Sequence, residues 1–169
     1  MNINDSLLAE INNMEEEDTM EGKFLIFRIG KEDYGLTIRD VTEIIGIQKI
    51  TDLPDTPAFV KGVINLRGKV IPVIDVRLRF GIGERDHDDR TCIIVVNIKG
   101  TAVGLIVDSV AEVLDIPANQ VEPAPKLNRG SGSRYISGLG KTGEAVKILL
   151  DTQKLLFEEE LGVIAEAIV

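Results

Sequence analysis

The stretch Gly138-Leu139-Gly140-Lys141-Thr142-Gly143 carries three glycines at the spacing of a dinucleotide-binding turn. Its Gly140-Lys141-Thr142 centre also resembles a phosphate-binding loop. Either chemistry needs a strand ahead and a helix behind, so that phosphate meets the N–H groups of a helix N-terminus. The residues that follow, Ala145-Val146-Lys147-Ile148-Leu149-Leu150, read as strand, and the place of the phosphate loop's first glycine is held by Tyr135. The stretch therefore predicts a strand–turn–strand connection rather than a nucleotide site.

The run Arg85-Asp86-His87-Asp88-Asp89-Arg90 gathers three carboxylates around the chain's single histidine. A hard-cation loop of this kind wants an internal glycine and a bidentate glutamate at fixed distance, and neither is present, so the run reads as a solvated loop. Cys92 opens the apolar run Cys92-Ile93-Ile94-Val95-Val96 and reads as a small core residue. One cysteine and one histidine exclude an intrachain disulfide and a Cys/His zinc site. They also leave a serine nucleophile without a nearby base. Carboxylates are plentiful, but nothing singles out one pair spaced for acid–base work. The expectation is a protein that is not an enzyme and has no cofactor or metal.

Arg67 stands out for a different chemistry. It lies in Pro57-Ala58-Phe59-Val60-Lys61-Gly62-Val63-Ile64-Asn65-Leu66-Arg67-Gly68-Lys69-Val70-Ile71-Pro72-Val73-Ile74-Asp75, at a tight turn between two apolar strands. Gly68 suits a turn position with positive φ. A guanidinium held at such a turn is suited to directional contact with carboxylates or carbonyls of a partner. A solvated charge or a structural ion pair is the competing reading.

The elements that position these residues are mostly strands. The core must come from Val, Ile and Leu, because aromatics are 4% of the 169 residues and Trp is absent; that β-branched bias favours sheet. Short apolar segments recur from Lys23 onward, as in Phe24 to Ile29 and Cys92 to Ile98, separated by glycine or charged turns. Helix is sparse: one turn at Thr56-Pro57-Ala58-Phe59, and Leu155 to Val169, expected to cap the open end of a barrel. Residues 1–21 read as a flexible acidic tail that could form a loosely attached helix, followed by one domain over 22–169. The net charge of -9 repels nucleic acid and anionic membranes, no apolar run spans a bilayer, and Met1 to Met20 lacks the build of a signal peptide. A cytoplasmic protein, monomeric in isolation and binding no nucleic acid, is expected.

An internal repeat organises the strands. A shift of 69 residues places Leu25 on Ile94, Phe27 on Val96, Ile29 on Ile98, Gly35 on Gly104, Val41 on Val110, Glu43 on Glu112 and Ile44 on Val113. A shift of 76 places Gly62 on Gly138, Val63 on Leu139, Val70 on Val146, Val73 on Leu149 and Asp75 on Asp151. Two half-length units, about 23–80 and 91–151, are each marginal in size and should share one apolar interface. The second copy has no arginine between Gly138 and Asp151, so Arg67 breaks the repeat.

The block Thr56 to Gly68 with Val70 to Asp75 resembles the most recognisable stretch of the CheW family. Tyr34-Gly35, Val41-Thr42-Glu43-Ile44, Val103 to Asp108, Pro123-Ala124-Pro125 and Ser137 to Gly140 extend the resemblance over about residues 23–160. The resemblance implies a mainly all-β fold of two intertwined five-stranded SH3-like β-barrels on a shared hydrophobic core. It implies a chemotaxis adaptor that couples chemoreceptor tips to the regulatory domain of the CheA histidine kinase and is recruited to membrane-associated receptor arrays. Arg67 occupies the family's motif arginine, with Asn65, Gly68 and Gly62 in the same motif; Val41 and Glu43 match a segment implicated in partner contact. Cys92 and Val110 are candidates for an apolar groove between the barrels that takes a receptor helix tip. Strand alternation leaves groove and core undistinguished there.

Overall fold

Alternating apolar residues and glycine-bearing turns fold the chain into a series of hairpins. The computed structural model describes residues 7–8, 21–124 and 134–168. Its strands are β1 (Lys23–Ile29), β2 (Glu32–Thr37), β3 (Val41–Gly46), β4 (Val60–Leu66), β5 (Lys69–Asp75), β6 (Cys92–Ile98), β7 (Thr101–Val107), β8 (Ser109–Asp115), β9 (Val121–Glu122), β10 (Ile136–Thr142) and β11 (Ala145–Leu150). Helix α1 is Val76–Arg79 and helix α2 is Glu158–Ile168.

The repeat is visible in three dimensions. The shift of 69 carries β1 onto β6 residue for residue, and the shift of 76 carries β4 onto β10. One sheet runs β8-β1-β2-β11-β10-β9 and the other β3-β6-β7-β5-β4. Substituting each strand by its repeat mate turns the order of the second sheet into the first five places of the first. Each sheet draws strands from both halves of the sequence, so neither half can form its sheet alone.

The two five-stranded SH3-like barrels implied by the family resemblance are not formed: both sheets are open, one of six strands and one of five. No ladder joins β3 to β4 or β8 to β10. In the five-stranded sheet the chain leaves its ladder after Gly46, and Ile47 and Ile50 turn onto a small apolar cluster around Ile64, Ile71, Val73, Ile93, Val95 and Ile106. The edges then meet at one bridge, where Thr51 and Val63 exchange both backbone hydrogen bonds at 2.8 Å. In the six-stranded sheet the two-residue β9 meets β10 at the equivalent place.

The main core lies between the sheets. Leu25, Phe27 and Ile29 from one sheet share it with Ile94, Val96 and Ile98 from the other, all 1% exposed or less. Each such side chain contributes about 1.5–3 kcal/mol on burial. Leu7, in a helical turn, also joins this core, while residues 1–6 and 9–20 of the expected tail lie outside the described residues.

The sequence expectations for helix need two corrections. Thr56–Phe59 is a turn closed by Val60 N–H donating to Pro57 O (2.9 Å), and the Thr56 hydroxyl goes back to Leu53 O instead of capping a helix. Helix α2 has no barrel end to cap; it enters the inter-sheet core through Ile164, beside Leu155 and Leu156. Among the described residues, no helix is long and apolar enough to cross a membrane.

Candidate protein-interaction site

The β4–β5 turn is built to hold a cation outward. Arg67 and Gly68 both have positive φ, 51° and 87°, the combination a two-residue hairpin turn needs to match strand twist. The Asn65 side chain accepts from Gly68 N–H at 2.7 Å, which stabilises a conformation that an arginine backbone would otherwise avoid. The Arg67 side chain remains 70% exposed, and its guanidinium donates to the carboxylate of Glu43, which is 14% exposed. The curl of the sheet thus brings the β4–β5 turn at one edge against β3 at the other.

The other candidates are buried. Val41, Cys92 and Val110 are 3%, 6% and 6% exposed and belong to the main core. The Cys92 thiol donates to Arg90 O at 3.2 Å. Gly62 sits inside the seam: its φ is +143°, and a Cβ there would stand 2.0 Å from Thr51 O. Arg67, Glu43, Asn65 and Gly68 are therefore brought together at the surface; Gly62 lies in the adjoining seam, and Val41, Cys92 and Val110 lie in the main core.

Sequence reasoning missed that the turn has a twin. Asn97-Ile98-Lys99-Gly100 repeats Asn65-Leu66-Arg67-Gly68: the Asn97 side chain accepts from Gly100 N–H at 2.8 Å, and Lys99 has a φ of 52°. The signal was present as the repeated Asn-x-basic-Gly pattern. The difference is the destination of the cation. Lys99 Nζ turns inward to Leu156 O at 3.1 Å, whereas Arg67 keeps most of its guanidinium in solvent.

Two further charge clusters fix the body behind the site. Asp75, the N-cap of α1, accepts from Arg77 N–H and Leu78 N–H; burial pushes its carboxyl above the ordinary value, and these two bonds only partly offset that. Arg77 grips Asp108 with two bonds of 2.8 and 2.7 Å, and Gly30 N–H adds a third at 2.8 Å. Burial alone would raise the Asp108 pKa, but Arg77, Gly30 N–H and Arg85 outweigh it and hold the group at about 2. Arg79 is 7% exposed and forks onto Glu160 at 2.7 and 2.6 Å. Its guanidinium also lies over the Phe59 ring at 4.2 Å.

The glycine-rich stretch is strand and turn: β10 ends at Thr142, Gly143 turns with a φ of 64°, and β11 follows. A strand, not a helix, thus follows the glycines. His87 is exposed in its charged loop, and among the described residues no group of three or more His, Cys, Asp or Glu is placed to hold a metal ion.

Comparison with known proteins gives the family. The CheW-like domain family matches residues 23–160. A chemotaxis protein CheW of Klebsiella aerogenes is 41% identical over 93% of this chain and 94% of its own length. One from Treponema pallidum is 32% identical over 85% of this chain and 86% of its own. The crystal structure of a CheW scaffolding protein from Thermoanaerobacter tengcongensis superposes with a TM-score of 0.76 at 41% identity, over 82% of this chain and 94% of that one.

Proposed function

The chain belongs to the CheW family of non-catalytic chemotaxis scaffold proteins, and we propose that its working surface is the Arg67 turn. The partners in this reading are the regulatory domain of the CheA histidine kinase and the cytoplasmic tip of chemoreceptor helices. The chain bridges the two and supports control of kinase autophosphorylation from the cytoplasm, as a monomer until it joins the array. Arg67, Glu43, Asn65 and Gly68 make the contact, and Gly62 fits the seam beside them; Val41, Cys92 and Val110 are buried in the core between the sheets.

The observation that carries this reading is the state of Arg67. Its twin Lys99 spends its charge on the fold, while the Arg67 side chain stays 70% exposed in a turn whose geometry is locked by Asn65. Glu43 occupies one side of the guanidinium and leaves the other for a carboxylate or carbonyl of a partner, a planar contact that lysine cannot copy. Co-sedimentation of the purified chain with receptor-bearing vesicles and CheA tests it. The Arg67→Glu variant should stay in the supernatant while wild type pellets; equal recovery of both in the pellet contradicts the reading.

A further inference from the structure

Strands β5 and β7 run parallel but pair only from Val73 with Gly104 onward. Before that point Lys69–Pro72 and Gly100–Ala102 diverge, and α2 lies against the divergence. A cleft of 360 Å³ results, its walls including Val70, Pro72 and Ala102 on the sheet side and Leu161, Ala165 and Ile168 on the helix side. That volume is within the usual range of binding pockets, about 300–1,000 Å³. Val70 is 48% exposed and Ala165 faces solvent, so the cleft is open.

Charge is distributed unevenly around it. Helix α2 has four glutamates and no basic residue. Glu160 is committed to Arg79, while Glu158, Glu159 and Glu166 are exposed. Glu158, Gly162 and Glu166 are spaced i, i+4, i+8 and form a row beside the lining row of Leu161 and Ala165. Lys69 at the mouth is the one basic residue in the lining. The Arg79–Glu160 fork pins α2 near its N-terminal end, leaving the cleft toward the other end.

We propose that this cleft is a docking site for an amphipathic helix of a partner protein, with an aliphatic ridge and lysines or arginines on its flanks. A basic flank answers the Glu158–Glu166 row. A helix suits the site better than an extended strand, because Pro72 has no N–H to give an added strand along β5. The helix wall from Leu161 to Ile168 is about 10 Å long and accommodates about two turns of a bound helix. The site is separate from the Arg67 turn and holds whether or not that turn binds a partner.

The test is a titration of the isotope-labelled full chain, followed by amide NMR, with an amphipathic peptide of about 14 residues carrying leucines on one face and lysines elsewhere. Saturable shifts should centre on Val70, Ala102 and Ala165. A peptide with glutamate in place of lysine should bind about tenfold more weakly or worse. Ala165→Asp makes the rim more acidic yet should weaken the lysine peptide about tenfold, because it puts charge into the apolar wall. Val70→Asp on the opposite wall should do the same, and thermal melting checks that both variants fold. Absence of saturation, shifts spread over the Asp86–Asp89 loop instead of the cleft, or tighter binding by the folded aspartate variants would overturn the proposal.

Discussion

Arg67 and Glu43, 24 residues apart in sequence, are joined across the gap between β4–β5 and β3, the two edges of one open sheet. The pair ties the surface most suited to recognition to the curl of the sheet beneath it. A change at either residue can therefore act through shape or through contact.

The two motif glycines should differ. Gly62→Ala places a methyl carbon against Thr51 O at a φ of +143°, and should cost about 2–3 kcal/mol by strain and overpacking. Gly68→Ala meets nothing within 4 Å and pays only for its φ of +87°, about 1 kcal/mol. Denaturant unfolding of both variants checks the order; equal losses would mean that the Thr51–Val63 seam is not closed in solution.

Asp108 should make folding acid-sensitive. Its folded pKa is held at about 2, below the ordinary 3.8, so the folded state favours the ionised form. This contribution is complete above pH 4 and is lost as pH falls through 2. Asp108→Asn should lower stability at neutral pH by about 3 kcal/mol, leaving Arg77 poorly matched, and should flatten the stability curve between about pH 4 and 2. Asp75 has the opposite sign: its raised pKa means that ionisation opposes folding as pH rises. Asp75→Asn, which keeps a cap acceptor, should be neutral or stabilising at pH 7. Unfolding measured at several pH values separates the two carboxylates.

Arg79 should control the attachment of α2. Arg79→Lys retains charge but loses the fork on Glu160 and much of the stacking on Phe59. Hydrogen exchange should quicken across residues 158–168 while the amides of β6 keep their protection. Uniform loss of protection would place Arg79 in the global core instead.

Much of this architecture was legible in the sequence because strand pairs repeat their spacing. Leu25 on Ile94 and Gly62 on Gly138 mark β1 with β6 and β4 with β10, and those strands hold equivalent places in the two sheet orders. What spacing cannot report is closure. Whether β3 pairs with β4 depends on where the chain leaves the ladder, and the inward turn of Ile47 and Ile50 decides that. Pairings across long separations were equally hidden: Arg79 finds Glu160 81 residues away, and Arg77 finds Asp108 31 away. For the site, residue type marked Arg67 and Glu43 separately, but only the curl of the sheet shows them touching. Cys92 and Val110 alternate identically whether they line a groove or a core, and they are buried in the same core cluster as Val41.

The most direct test of Arg67 as a partner contact is a charge swap, Arg67→Glu with Glu43→Arg, measured by receptor-dependent CheA phosphorylation in a reconstituted array. The swap rebuilds the intramolecular ion pair while inverting the charge offered outward, and its melting temperature should lie within about 3 °C of wild type. If Arg67 serves a partner, the folded double variant remains unable to couple receptor to kinase, like Arg67→Glu alone. Restored kinase control in the double variant would show that the arginine matters only for the fold.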